Sequence, residues 1–405
     1  MSQAKPLIEY PLDESIIRGA YDLEPTEHGL TPHRLPAWAR AQAADPQIAM
    51  AEAQPSGVRL AFTTDATTVE IDVLPTRLNF GGAPPRDLGV YDLTVDGRLV
   101  AQQSAKDATF LMIDIATGAV STQAGAVDTL TFGDLPAGSK RVEIWLPHME
   151  MTELVALRTD RPIAAVRSGD RPVWLHYGSS ISQGSNADHP LGAWAMVAAS
   201  LGGVDLVNMG LSGSALLDPF VARTMRDVPA DLLSMKVGIN LVNTDLMRLR
   251  AFRPAVHGFL DTLRDGHPDT PLVLMSPVYC AIHENTPGPG AFDMDALAKG
   301  QVLFRATGDP SEVAAGKLTL TVIRQALADI AKERAAQDPN LYFLDGLDLY
   351  GATDFDELPL ADNLHPSTAA HQRIGERFAA RVFDEWKLQQ PRPLAPRASG
   401  RRGTR

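Results

Sequence analysis

The spacing of hydrophobic and polar positions changes once along the chain. From about Val58 to Leu157, apolar and polar residues alternate in short runs: VRLAFTT, TTVEIDVL, GVYDLTVDG, RLVAQQ, TFLMIDI, DTLTFGDL and KRVEIWLP. Asp-Gly, Pro-Ala-Gly or Gly-Ala stands between several of them. A period of two places alternate side chains on one face of an extended strand. Strands this short and frequent predict antiparallel sheets, most simply a sandwich. After residue 171 the apolar runs are unbroken, at 173–177, 204–208, 232–237, 271–279 and 341–344, with helical segments between them. That is the pattern of βαβ units around a buried parallel sheet.

The intervening helices are legible. Leu191–Leu201 is apolar and closes at Gly202-Gly203. Leu318–Ala336 sets Val322, Ala326 and Ile330 on one face, and Ser367–Trp386 does the same with Ile374, Phe378, Val382 and Trp386, with Pro366 suited to its first turn. Residues 158–171 are charged and lack periodicity, and read as a linker. The segment between Cys280 and Leu318 has no periodicity either; loops of this length in compact domains are functional or disordered, and this one leaves the sheet on the edge that carries the candidate site. The expected division is therefore a β-sandwich domain at 1–165, an α/β domain at 166–388 and a disordered basic tail at 389–405, where five arginines occur with no acid.

Composition narrows the functional classes. A chain of 405 residues exceeds what one core usually supports, which agrees with two domains. The formal net charge of −12 argues against nucleic acid and anionic membranes as partners and leaves a neutral small molecule as the expected one. With Cys280 alone, neither an intramolecular disulfide nor a multi-cysteine zinc site can form. There is no run of about 18 apolar residues, and the amino terminus lacks the pattern of a secretory signal, so a cytoplasmic protein is expected.

The candidate chemistry sits at the strand ends. Val173 to Tyr177 breaks at Gly178-Ser179-Ser180, which presents a hydroxyl at the C-terminal edge of the sheet, where parallel α/β proteins hold their ligands. The next strand ends in Asn208-Met209-Gly210-Leu211-Ser212-Gly213, and the one after it in Gly238-Ile239-Asn240. Asp362 and His365 stand three apart on a later turn, just before the last helix. Singly, each motif is also how a chain punctuates a turn.

Together and in this order the four blocks resemble the SGNH (GDSL-like) hydrolases, over roughly Arg171 to Trp386. One departure is the first block, Gly178-Ser179-Ser180, where the family commonly has Gly-Asp-Ser; Ser179 is expected to imitate the aspartate by bonding its own backbone. The segment LGVYDLTVDG, with Gly89, Asp92 and Leu93, is loosely similar to the β-sandwich domain that precedes some members. The resemblance implies a three-layer, flavodoxin-like α/β hydrolase domain with a parallel sheet, preceded by an all-β, jelly-roll-like sandwich. It implies that Ser180 attacks an ester carbonyl, that His365 accepts its proton, and that Asp362 orients the imidazole. The oxyanion donors it implies are the backbone N–H of Ser180, the backbone N–H of Gly210 and the side-chain amide of Asn240. No metal or organic cofactor is required.

On this reading the substrate is a small-molecule ester carrying a short acyl group, acetyl first, on a carbohydrate or similar alcohol; the oligomeric state is left open. Two alternatives remain: a carbohydrate-binding protein with an impaired hydrolase domain, and an acyltransferase that uses the same triad.

Overall fold

The computed structural model describes residues 6–388, apart from residues 44, 81–87, 115–116, 118 and 168. The segment 389–405, expected as a disordered tail, lies outside the described residues. Among the described residues no helix is long and apolar enough to cross a membrane.

The N-terminal domain consists mainly of antiparallel strands, and the alternating runs are those strands. Arg59–Thr64, Lys140–Trp145, Val90–Val95 and Arg98–Ser104 pair in one sheet; Val69–Phe80, Met151–Thr159 and Asp128–Phe132 belong to a second. The inward residues of both sheets, among them Leu60, Phe62, Ile71, Val73, Leu93, Ile144 and Leu157, meet in one buried cluster, which makes the pair a sandwich. The second sheet is not purely antiparallel, because Thr109–Ile113 runs parallel to Val69–Phe80. Part of the expected linker is also strand: Met151–Thr159 runs two residues into it, and Ile163–Ala165 adds to the edge of Arg59–Thr64, a pairing too short to show a periodicity. Before residue 58 the chain forms further strands, including Leu30–His33, and the helix Pro46–Ala53, capped by Asp45 with proline at its first position.

The α/β domain has a five-stranded parallel sheet in the order 205–210, 173–178, 232–236, 272–275, 341–344. In chain order this is 2-1-3-4-5, the flavodoxin-like arrangement, whose strand order reverses between the first and third strands. Ser180 follows the first and Asn240 the third, so the reversal brings their loops together. Helices Leu320–Arg334 and Thr368–Phe378 cover the sheet, burying Ile323, Leu327 and Ile330 from one and Ile374 and Phe378 from the other. Ser367 caps the last helix through Ala370 N, so Pro366 precedes the cap rather than opening the helix.

The two domains are joined by buried polar groups. Arg59 of the sandwich meets Glu143 and reaches Asp205 Oδ1 at 2.9 Å across the boundary, its guanidinium over the Trp145 ring. Asp92, fully buried in the sandwich, accepts hydrogen bonds from His189 Nδ1 (2.7 Å) and Leu191 N (2.9 Å).

Candidate active site

The strand Val173–Gly178 ends in a single helical turn, Ser180–Gln183, closed by Gly184. Gly178 and Gly210 face each other in register on neighbouring strands. A Cβ at Gly178 would stand 2.1 Å from Ser182 Oγ, and one at Gly210 would stand 2.4 Å from Gln183 N. Only glycine lets this turn sit so close to the strand ends, and that closeness fixes where Ser180 emerges. Ser179 caps the turn through its backbone carbonyl, which accepts Ser182 N (2.9 Å) and Gln183 N (3.0 Å). Its hydroxyl does not take the aspartate-like role expected of it: Ser179 Oγ is buried with no partner among the described residues.

Ser180, Asp362 and His365 come together. The Ser180 hydroxyl donates to His365 Nε2 at 2.9 Å, and His365 Nδ1 donates to Asp362 Oδ2 at 2.7 Å. With Nδ1–H held by the carboxylate, the lone pair of Nε2 faces the serine. The other carboxylate oxygen accepts the backbone N–H groups of Leu364 (2.9 Å) and His365 (2.7 Å). Burial pushes the Asp362 pKa up, but the hydrogen bond and charge of His365 and these two N–H groups outweigh it and leave the carboxyl below its ordinary range. The serine, histidine and aspartate thus form one continuous chain of hydrogen bonds.

The expected oxyanion donors are only partly placed for that role. Ser180 N–H lies in the first turn of its helix, where backbone donors have no intrahelical acceptor. Asn240 is buried, and its Oδ1 accepts Ala215 N at 3.1 Å, which fixes the amide and turns its NH2 end away from that contact. Gly210 is a correction. Its N–H already donates to Asn208 Oδ1 at 2.9 Å, and the residue serves close packing against the turn Ser180–Gln183. Further along the same loop, Leu211 N, Ser212 N, Ser214 N and Ala215 N are all engaged, whereas Gly213 N has no acceptor among the described residues. Gly213 also has φ +73°, a conformation that favours glycine.

Several residues around the site were not singled out in the sequence. Asn186 Nδ2 donates to Asp362 Oδ2 at 3.1 Å. Phe304, from the segment between Cys280 and Leu318, donates its N–H to the Asp362 carbonyl (2.9 Å) and sets its ring edge-on to His365 at 5.8 Å, with Phe292 behind it. That segment contains a short hairpin, Gly290–Phe292 with Phe304–Ala306, which brings these rings to the site. Below the turn, His176 is fully buried between Ser182 Oγ (2.8 Å) and Ser234 Oγ (2.7 Å); burial, reinforced by Lys236, pushes its pKa down to about 3, so it is a neutral packing residue. Among the described residues no group of three or more His, Cys, Asp or Glu side chains is arranged to hold a metal ion.

Residues 171–284 match the GDSL-like lipase/acylhydrolase family, and residues 16–155 match the N-terminal domain of SsfX3. The chain carries a GDSL-like acylhydrolase domain behind an SsfX3-type N-terminal domain. It is an enzyme of the SGNH hydrolase type. Among solved structures, this GDSL-like enzyme is similar over 96% of its length to the salicylyl-acyltransferase SsfX3 of a tetracycline biosynthetic pathway, covering 99% of that chain at 26% identity and a TM-score of 0.76. It also shares the fold of a Bacteroides ovatus protein described as a GDSL-like lipase, at 18% identity and a TM-score of 0.65, with 94% of this chain and 98% of that one covered. A family two carbohydrate esterase from Clostridium thermocellum has the same fold at 14% identity and a TM-score of 0.52, with 85% and 97% covered. No curated protein matches the sequence significantly.

Proposed function

We propose that this GDSL-like enzyme cleaves esters by acyl transfer through Ser180, with His365 as general base and then general acid and Asp362 as the group that orients the imidazole and stabilises its charged form. The observation that carries the reading is the hydrogen-bonded chain from the Ser180 hydroxyl (2.9 Å) through His365 to Asp362 (2.7 Å). Ser180 Oγ attacks the ester carbonyl while its proton passes to His365 Nε2. The tetrahedral intermediate then expels the alcohol, which takes that proton. A second alcohol or water, deprotonated by the same nitrogen, releases the acyl group. The N–H groups of Ser180 and Gly213 and the amide of Asn240 receive the oxyanion.

The substrate we propose is a short acyl ester, acetyl first, of a carbohydrate or other small alcohol. The fold shared with carbohydrate esterases supports this choice. Transfer to a second alcohol instead of water is the other reading, favoured by the full-length similarity to an acyltransferase at 26% identity.

Ser180→Ala should lower kcat on p-nitrophenyl acetate by about 10³-fold or more and leave the melting temperature near that of the wild type. Near-normal hydrolysis by the variant rejects Ser180 as nucleophile. Product analysis with added acceptor alcohols separates hydrolysis from transfer.

A further inference from the structure

Gln47 belongs to the N-terminal domain, yet its side chain touches the loop of the α/β domain that follows the second strand of the parallel sheet. Gln47 Nε2 donates to the carbonyl of Ser212 at 2.9 Å. That carbonyl and the N–H of Gly213 belong to the same peptide unit. In a trans peptide the two point in opposite directions. A donor holding the carbonyl from the side of the helix Pro46–Ala53 therefore turns the Gly213 N–H, which has no acceptor among the described residues, the other way. The fit is close: a Cβ on Gly213 would stand 3.0 Å from Gln47 Nε2.

The preceding peptide is fixed as well. Ser212 N donates to Gln183 Oε1 at 2.8 Å. Gln183 is the last residue of the nucleophile turn, and its amide nitrogen donates to Gln54 Oε1 and to the carbonyl of His148 (3.1 Å), both in the N-terminal domain. Ser56 Oγ donates to the Gln183 carbonyl at 2.6 Å. Arg34 donates to the carbonyls of Asn208 (3.0 Å), Gly210 (2.6 Å) and Ala51, and its guanidinium, held down to about 10 by burial against the opposing charge of Glu52, is fully enclosed. Four side chains of the N-terminal domain thus bear on the nucleophile turn and the loop beside it.

We propose that the N-terminal domain completes the active site, with Gln47 and Gln183 as positioning residues that aim the Gly213 N–H at the developing oxyanion. This rests on the acyl-transfer reading above. A donor aimed in advance costs no reorganisation as charge develops, so its loss is felt in the transition state more than in substrate binding.

The test uses Gln47→Leu and Gln47→Glu in the full-length protein. Gln47 is partly exposed on a surface helix, so both variants should fold. Expected are a kcat on p-nitrophenyl acetate lowered by about 10-fold or more, a KM within about 3-fold of wild type, and a matching loss in the rate of inactivation by diethyl p-nitrophenyl phosphate. Gln47→Glu, which turns an acceptor toward the Ser212 carbonyl, should lose at least as much as Gln47→Leu. Gln183→Met should show the same division between kcat and KM; where it does not fold, Ser56→Ala, which removes one oxygen, replaces it. Wild-type kcat and inactivation rates in folded Gln47 variants overturn the inference. A wild-type enzyme that the organophosphate does not inactivate at all overturns the serine mechanism instead.

Discussion

Asn186 and Asp362 are 176 residues apart in the chain and share a hydrogen bond of 3.1 Å, in which the Asn186 amide donates to the carboxylate oxygen that also holds His365. Asn186 adopts φ +67°, a conformation that asparagine tolerates better than most residues. That Asp362 oxygen is held between two side chains, and the Asn186 amide fixes where it meets the imidazole. Asn186→Gly keeps the backbone conformation and removes the donor. The carboxylate is then less firmly placed, and kcat on p-nitrophenyl acetate should fall by about 3- to 10-fold with KM little changed. A folded variant with wild-type kcat would falsify the link.

Asn240 has two duties, which two substitutions separate. Its Oδ1 accepts the buried Ala215 N–H at 3.1 Å, and its NH2 end is assigned to the oxyanion. Asn240→Ala should lower kcat by about 10²- to 10³-fold and should also lower the melting temperature, since a buried N–H left unpaired costs about 1–3 kcal/mol. Asn240→Asp keeps the acceptor and removes the donor. It should lose comparable activity with a smaller change in melting temperature. Full activity per folded molecule in either variant would remove Asn240 from the mechanism.

The contact between His189 and Asp92 ties the α/β domain to the sandwich and should make stability depend on pH. The hydrogen bond from His189 Nδ1 to Asp92 (2.7 Å) raises the histidine pKa, its partial burial opposes this, and the charge of Asp92 adds to the rise. A group with a raised folded pKa stabilises fully below its unfolded value, about 6.5 for histidine, and loses that contribution as pH rises through the folded value. Against His189→Asn, the wild type should therefore gain most in melting temperature near pH 5.5 and progressively less on the alkaline side. A gap in melting temperature that is constant from pH 5.5 to pH 9, on the order of that window, would assign the contact to packing alone.

Acyl-chain length should discriminate sharply. Phe304 stands edge-on to His365 at 5.8 Å with Phe292 behind it, which walls the site on that side. Acetyl and butyryl esters should be turned over faster than esters of about ten carbons, because no interfacial amphipathic helix is evident in the sequence to gather long chains. Faster turnover of the long esters would overturn the short-acyl substrate.

The sequence by itself determined what depends on neighbours along the chain. The alternating runs became sandwich strands, the unbroken runs became a parallel sheet, and Ser180, Asn240 and the Asp362–His365 turn were legible because each stands within a few residues of the strand end or helix that presents it. Asp362 and His365, three apart, can meet on one turn whatever the rest of the fold does. Other features escaped for a definite reason. Two glycines follow Asn208 in Asn-Met-Gly-Leu-Ser-Gly, and spacing cannot say which N–H is engaged; only the hydrogen bonds among the described residues pair Gly210 with Asn208 and leave the Gly213 N–H without an acceptor. The pairs Gln47–Ser212, Arg34–Gly210 and Asn186–Asp362 join positions 165 to 176 residues apart. No local pattern encodes such pairs, because each depends on how one element docks against another, and that is set by the packing of whole faces and by the domain contact.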